Sequence, residues 1–262
     1  MTTHGLAVRQ KALTLLRDGT KNTVVARSLG VPVGTISYWK HVDRVKRGEP
    51  PRRTDAVCSR CQDGVLDRSA YAYLLGLYLG DGHISHYAGH RVPSLMISCT
   101  ESWGGLLDAC EQTIRKVFPD NAVCRVSRTG CVNVKVYSKH LSCLFPQHGP
   151  GKKHERRVAL EEWQQEIVRD HTWEFISGLI HSDGCRITNW TTKIIGGERK
   201  RYEYPRYFFS NMSDDIRKMF TDALDLVGVE WSALKRRGAE FNISVARRAS
   251  VALMDAHVGP KH

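Results

Sequence analysis

Two distant stretches of the chain say nearly the same thing: Ala72-Tyr-Leu-Leu-Gly-Leu-Tyr-Leu-Gly-Asp81-Gly82 and Glu174-Phe-Ile-Ser-Gly-Leu-Ile-His-Ser-Asp183-Gly184. Each reads as an apolar helix that ends in Asp-Gly. One such segment fits an ordinary core helix stopped by a turn, whereas two in matching contexts imply a body with internal pseudo-symmetry and a pair of carboxylates. Gly76 with Gly80, and Gly178 with Ser182, place small residues four apart on one helical face. That spacing lets two helix backbones come unusually close. The helix ends are then adjacent, and each carries an acid where the helix dipole is already negative. Two such acids repel one another, so they need protons or divalent cations between them.

The repetition extends outward from the two motifs. Val132-Asn-Val-Lys-Val136 matches Phe241-Asn-Ile-Ser-Val245, each alternating as a strand with one buried face. Leu95-Met-Ile-Ser-Cys99 leads into an amphipathic helix with Leu106, Leu107, Cys110 and Ile114; Tyr207-Phe-Phe-Ser-Asn211 leads into one with Ile216, Phe220, Leu224 and Val227. The copies close alike, on His148-Gly-Pro-Gly-Lys-Lys-His154 and His257-Val-Gly-Pro-Lys-His262. The reading is α+β: two pseudo-symmetric αββαββα repeats over residues 70–154 and 173–262, joined by a connecting helix over 155–172 that includes Trp163 and Ile167.

Lys and Arg exceed Asp and Glu by a net +12 across 262 residues, which favours a polyanionic partner, nucleic acid first. The longest apolar run, Ala70 to Gly80, falls far short of the ~20 residues that cross a bilayer. The opening Met-Thr-Thr-His-Gly lacks an apolar signal, and neither end carries the nucleophile or terminal Asn that splicing requires. The expectation is a freestanding cytoplasmic protein, nucleoid-associated when bound, that does not enter membranes. The eight cysteines, spread through strands and helices of a sizeable chain, are expected as reduced thiols.

Residues 1–45 read as a three-helix helix-turn-helix domain. Leu6, Leu13, Leu15 and Leu16 form a first helical pattern that ends at Asp18-Gly19. In the next pair Ala26 lets the helices approach, Gly30 allows a sharp turn, and Ile36 and Trp39 pack back on Val25 and Leu29. The outer face then shows Thr35, Ser37, Tyr38 and Lys40, side chains suited to phosphates and the major groove. Residues 46–69 read as a basic, Pro-rich linker, with Arg52 and Arg53 placed to track a DNA backbone or simply solvated. It ends in Cys58-Ser-Arg-Cys61, half of a zinc site by spacing. A closed site needs four ligands, and no second CxxC occurs in the chain, so His83, His86 or Cys99 would have to be recruited by folding.

Lys193 to Tyr207 reads as a hairpin turning at Gly196-Gly197, with Lys193, Arg199, Lys200, Arg201 and Arg206 available to DNA. Arg125, Arg128 and Lys135 supply the first repeat, and Lys235, Arg236 and Arg237 the second. Their equivalent strand positions favour one continuous binding surface.

The order of elements and the two Asp-Gly motifs resemble the LAGLIDADG (DOD-type) homing endonuclease family in its single-chain, two-repeat form, over residues 70 to 262. The N-terminal segment resembles resolvase-type and homeodomain-like helix-turn-helix proteins. The first resemblance implies motif helices packed at a pseudo-twofold axis, each repeat's sheet forming half of a saddle over double-stranded DNA. It also implies a monomer, with Asp81 and Asp183 as catalytic metal ligands and Mg2+ as the ion. The family's earlier acidic position is Leu79 and His181 here, at a place that varies among relatives. Lys139, at a strand-to-helix junction, matches the family's catalytic lysine, with Arg248 as its counterpart. Ser98 and Ser210 stand where relatives carry polar water-binding residues. The implied activity is Mg-dependent, site-specific double-strand cleavage. The alternative is a non-cleaving transcription regulator on the same fold plus helix-turn-helix, as in sporulation regulators that have generally lost the acids this chain keeps.

Overall fold

In the computed structural model, residues 4–49, 57–62, 64–85, 92–236 and 239–261 are described, with the side chains of residues 235, 236, 239 and 240 also outside the description. The chain divides into two compact units, Met1–Ala56 and Val57–His262.

The first unit holds α1 (Leu6–Arg17), α2 (Asn22–Leu29) and α3 (Val33–Lys46). Its core is Ala12, Leu16, Val25, Ala26, Val31, Ile36 and Trp39, the helical-spacing residues of the sequence, although Leu6 is exposed. Gly30 ends α2 in the left-handed region (φ +61°), where a side chain would be strained, and its N–H bonds back to the Ala26 carbonyl. The helices therefore meet through a tight turn closed by Pro32 at the start of α3.

The second unit repeats one plan twice. The first copy runs α4 (Arg68–Leu79), β1 (Gly82–Ser85), β2 (Ser94–Thr100), α5 (Gly104–Val117), β3 (Val123–Arg128), β4 (Cys131–Tyr137) and α6 (Leu141–Leu144). After α7 (Glu162–Asp170) the second runs α8 (Thr172–Asp183), β5 (Gly184–Ile195), β6 (Glu198–Ser210), α9 (Asp214–Leu226), β7 (Ser232–Arg236), β8 (Ala239–Val245) and α10 (Arg248–His257). Both sheets are antiparallel with one order of strands, β1-β2-β4-β3 and β5-β6-β8-β7. Two identical topologies from one chain establish the αββαββα repeat. Alternation along each strand turns Ile97, Val134, Phe209 and Ile243 toward the helices, leaving the opposite sheet face for polar residues.

Two expected boundaries move. The connecting helix expected over 155–172 is only the nine residues of α7. It starts where Glu161 and Gln164 form a capping box, and residues before it run extended, with the Val158 N–H donating to the Asp215 carboxylate at 2.7 Å. The CxxC segment is not linker: residues from Val57 onward belong to the second unit. Glu49, by contrast, folds back on Arg44 and Arg47 of the first unit. Arg52, Arg53 and Arg237 lie outside the described residues, as do the side chains of Lys235 and Arg236.

Candidate functional site

Helices α4 and α8 cross with almost no space between their backbones. A Cβ on Gly76 would lie 2.6 Å from the Phe175 carbonyl oxygen, and one on Gly178 would collide with the Tyr73 carbonyl and stand 2.9 Å from Gly76 Cα. One turn on, a Cβ on Gly80 would overlap Ser182 and reach within 3.1 Å of Asp183 Cγ. The helix ends therefore abut, and the acid that closes α8 touches the last turn of α4. The glycines after the acids are not left-handed helix stops, since neither Gly82 nor Gly184 has a positive φ. Packing requires them: a Cβ would meet Tyr78 Cδ2 at 2.9 Å in one copy and Ile180 Cδ1 at 2.7 Å in the other. His181, at the position where the motif departs, sits 2.9 Å from the Tyr73 hydroxyl across the same interface.

This crowding sets the electrostatics. Asp81 keeps a solvent-exposed face and Asp183 is half-buried, yet protein packs around both carboxyl groups. Burial pushes Asp81 above the ordinary carboxylate value. Burial and the charge of Asp81 together push Asp183 up to about 6, against the lowering effect of Asn211, whose Nδ2 donates to its Oδ2 at 2.5 Å. A carboxyl whose pKa rises on folding weakens the fold above that pKa, and this penalty vanishes below the unfolded value. Ionising such a group costs on the order of 2–3 kcal/mol, and solvent screening reduces that to about 1–2 kcal/mol. Asp183→Asn is therefore expected to raise the melting temperature of the second unit by about 2–8 °C at neutral pH without divalent cation. The gain should fade between about pH 6 and 4. An unchanged or lowered melting temperature at neutral pH would contradict this coupling.

Two lysines that the sequence reading did not assign complete the site. Lys153 Nζ donates to the carbonyls of Tyr78 (2.5 Å), Gly80 (2.8 Å) and Gly82 (2.8 Å), capping the end of α4. Lys261 Nζ donates to the Ser182 carbonyl at 2.7 Å, at the end of α8. Burial lowers Lys153 to about 8 and depresses Lys261 as well, opposed in both by the two acids. Both come from the repeated closures, Gly-Lys-Lys153 and Gly-Pro-Lys261, so the signal was present as a repetition with no chemistry attached. A cleft of about 540 Å³ opens beside Asp183, bordered by Lys153, His83, His148 and Asn211.

The sheets contribute matching polar pairs. Ser98 Oγ donates to Asn133 Oδ1 at 2.8 Å, and Ser210 Oγ donates to Asn242 Oδ1 in the second copy. Both pairs sit level with the acids, because the Ser98 N–H reaches the Asp81 carbonyl and Gly184 pairs with Phe209. Asn211 has no counterpart, since repeat 1 places the buried Cys99 at that register.

Lys139 and Arg248 are not brought to the carboxylates. Lys139 follows Tyr137, which pairs with Ser94, whereas Asp81 is level with Ser98 and Asn133. At about 3.3 Å per residue the separation is on the order of 15–20 Å. Arg248 likewise follows Val245, the far end of β8 from Asn242. Both are exposed on the surface.

Register also sorts the basic residues. Arg128 and Lys135 share the outer sheet face with Asn133, while Arg125 points to the helix side and is bound by Asp108 (2.5 Å) and Glu111 (2.6 Å) of α5. In the β5–β6 hairpin, which turns at Gly196 and Gly197 as expected, Lys193, Lys200 and Arg206 share the face of Ser210. Arg199 and Arg201 alternate onto the other face, where Arg201 pairs with Glu203 and lies over Trp190. In the first unit Ser37 and Tyr38 are exposed on α3, Thr35 and Lys40 are half-buried, and Asn22 of α2 bonds both Ser37 and Lys40. Cys99 packs on Cys110 and His83 faces His148, so neither joins Cys58 and Cys61; His86 lies outside the described residues.

No protein-family model matches the chain, and no curated protein does. Among solved structures it is similar to mesophilic variants of the homing endonuclease I-DmoI, at 17% identity over 72% of this chain and 89% of that one, TM-score 0.49. It is also similar to the homing endonuclease I-WcaI bound to its DNA recognition sequence, at 11% identity over 76% and 84%, TM-score 0.48. A third is the LAGLIDADG meganuclease I-AabMI bound to uncleaved DNA, at 12% identity over 71% and 83%, TM-score 0.45.

Proposed function

We propose that this chain is a DNA endonuclease of the LAGLIDADG type, in its single-chain two-repeat form, that cuts both strands of duplex DNA at a specific site. The observation that carries this reading is the pair Asp81 and Asp183 at abutting helix ends, both pushed toward protonation and flanked by Lys153 and Lys261. The donors fit a divalent cation: they are hard carboxylate oxygens, crowded so that a cation relieves their repulsion. When held by Asp81 and Asp183, Mg2+ would supply Lewis acidity toward water and the phosphodiester.

The chain's own groups do the remaining work. Lys153 and Lys261 place positive charge beside the reacting phosphate, where negative charge builds as the P–O bond breaks. Ser98 with Asn133, and Ser210 with Asn242, offer hydroxyl and amide groups level with the acids, suited to orienting water. Asn211 holds the Asp183 carboxylate in one orientation. Arg128 and Lys135 in one sheet, and Lys193, Lys200 and Arg206 in the other, supply phosphate contacts on the polar faces. Thr35, Ser37, Tyr38 and Lys40 add contacts from the first unit.

The test is incubation with a randomised duplex library and Mg2+, sequencing the ends produced. Double-strand breaks at a recurring sequence, absent in EDTA, are expected. Binding should weaken as salt rises, log K falling by about 0.9 per phosphate contact neutralised. Sequence-specific binding with no cleavage in Mg2+ or Mn2+ would instead make the chain a regulator.

A further inference from the structure

The first residues of the second unit have little to hold them. From Val57 to Gln62 the single buried side chain is Cys58, and Val65 just beyond is almost wholly exposed. Arg60 lies over the Trp163 ring at 5.2 Å, but no apolar residue of the segment enters the core. A short stretch without hydrophobic anchorage keeps one conformation only if something else fixes it.

What lies against it is a set of metal-binding atoms. Cys58, Cys61, His140 and Cys143 bring three sulfurs and an imidazole nitrogen to within 4.8 Å of one another. Cys61 Sγ stands 3.4 Å from His140 Nδ1. Around a tetrahedral zinc, with Zn–S near 2.3 Å and Zn–N near 2.0–2.1 Å, an S···N edge measures about 3.6 Å and an S···S edge about 3.8 Å. The four atoms need only small rotamer adjustments to close on one ion. The arms are two short chelates. Cys58-x2-Cys61 forms a turn in which the Arg60 N–H donates to Cys58 Sγ at 3.4 Å, while Gln62 N–H donates to the Cys58 carbonyl. His140-x2-Cys143 forms the first turn at α6, with the Cys143 N–H on the His140 carbonyl. Backbone N–H groups aimed at a sulfur favour its thiolate, the form a metal binds.

We propose that Cys58, Cys61, His140 and Cys143 form a closed Cys3His structural zinc site that pins the start of the second unit to the β4–α6 corner of repeat 1. Four protein ligands leave no open position, so the ion takes no part in chemistry on a substrate. The site is far from the carboxylate pair along β4, and it assigns a role to the corner that also carries Lys139. It cross-links residues 79 apart in sequence, a long loop to close.

The test is metal analysis of the full-length protein, purified with a reducing agent and dialysed against EDTA mild enough to strip Mg2+. About one zinc per chain is expected. Cys58→Ser and Cys143→Ser should each retain less than about a tenth of that, while Cys99→Ser and Cys185→Ser keep all of it. Cobalt loaded in place of zinc should give the strong visible absorption of a tetrahedral thiolate site, and His140→Cys should keep the metal and raise the thiolate-to-cobalt charge transfer by about one third, from three sulfurs to four. This last variant keeps the test decisive even where serine variants fail to fold. Zinc retained unchanged in the serine variants, or an unchanged cobalt spectrum in His140→Cys, overturns the proposal. Reduced wild-type protein that holds no zinc and takes up no cobalt also does so.

Discussion

Asp81→Asn and Asp183→Asn should each remove double-strand cleavage, by about 10³-fold or more, while leaving DNA affinity within a few-fold of wild type. Under the proposed function the magnitude follows from losing a carboxylate that would hold the ion, on the order of 4 kcal/mol of transition-state stabilisation. The breadth of the effect follows from geometry. A Cβ on Gly80 would stand 3.1 Å from Asp183 Cγ, and the charge of Asp81 raises Asp183, so the two acids form one electrostatic unit. Removing either should therefore impair both strand cuts, whereas two independent centres would leave the single variants as efficient nickases. The asparagine isolates charge from shape, because its amide oxygen can still accept from Asn211 Nδ2 where Asp183 did. Cleavage of both strands retained in either variant, at more than about a tenth of the wild-type rate, would sink the assignment. Binding should tighten rather than weaken in the absence of divalent cation, since a negative charge facing the phosphates is removed.

The sequence carried the plan of the molecule further than its site. The motif helices were legible because small residues at a spacing of four have few other uses on an apolar helix, and both copies repeat the pattern. The hairpin turn at Gly196 and Gly197 was legible because two adjacent residues with positive φ demand glycine. Register was not legible, and register decides which basic residues share a face. Arg125 and Arg128 differ only by an odd step along β3, yet one is locked to α5 and the other shares the outer face with Lys135. Lys153 was missed for a different reason: it reaches Gly80 from a closing loop 73 residues further along the chain, a contact that only the folded repeat creates. Lys139 looked suitable by its place after a strand, but the strand carries it away from the acids. The proposed zinc ligands were half legible. CxxC stands out by its spacing, while His140-Leu-Ser-Cys143 is an equally short chelate whose mixed His and Cys donors match no repeated pattern in the chain.

Gly178→Ala should be among the most damaging glycine-to-alanine changes at the described residues. The new Cβ would collide with the Tyr73 carbonyl and sit 2.9 Å from Gly76 Cα, and both obstacles are backbone atoms of α4 that no rotamer can move. Relief requires α4 and α8 to separate, which loosens the core on both sides of the interface, where Leu74, Leu75, Phe175 and Leu179 are wholly buried. Overpacking of this kind costs about 3–5 kcal/mol when backbone must shift, beyond the usual 1–3 kcal/mol for side chains that can adjust. For a unit of this size the melting temperature should fall by roughly 6–20 °C. Gly104→Ala is the matched control: it lies at the start of α5 with nothing within 4 Å of its Cβ, and alanine favours a helix, so its melting temperature should hold or rise slightly. Gly76→Ala meets the same interface from the other side, 2.6 Å from the Phe175 carbonyl. Once one helix has been pushed away, the second methyl enters space already opened. The double variant should therefore lose less than the sum of the two single losses, by more than about 0.5 kcal/mol. Strict additivity would mean that the two glycines act at separate contacts, and a Gly178→Ala melting temperature within 2 °C of wild type would mean that the helices do not touch as closely as the carboxylate pair requires.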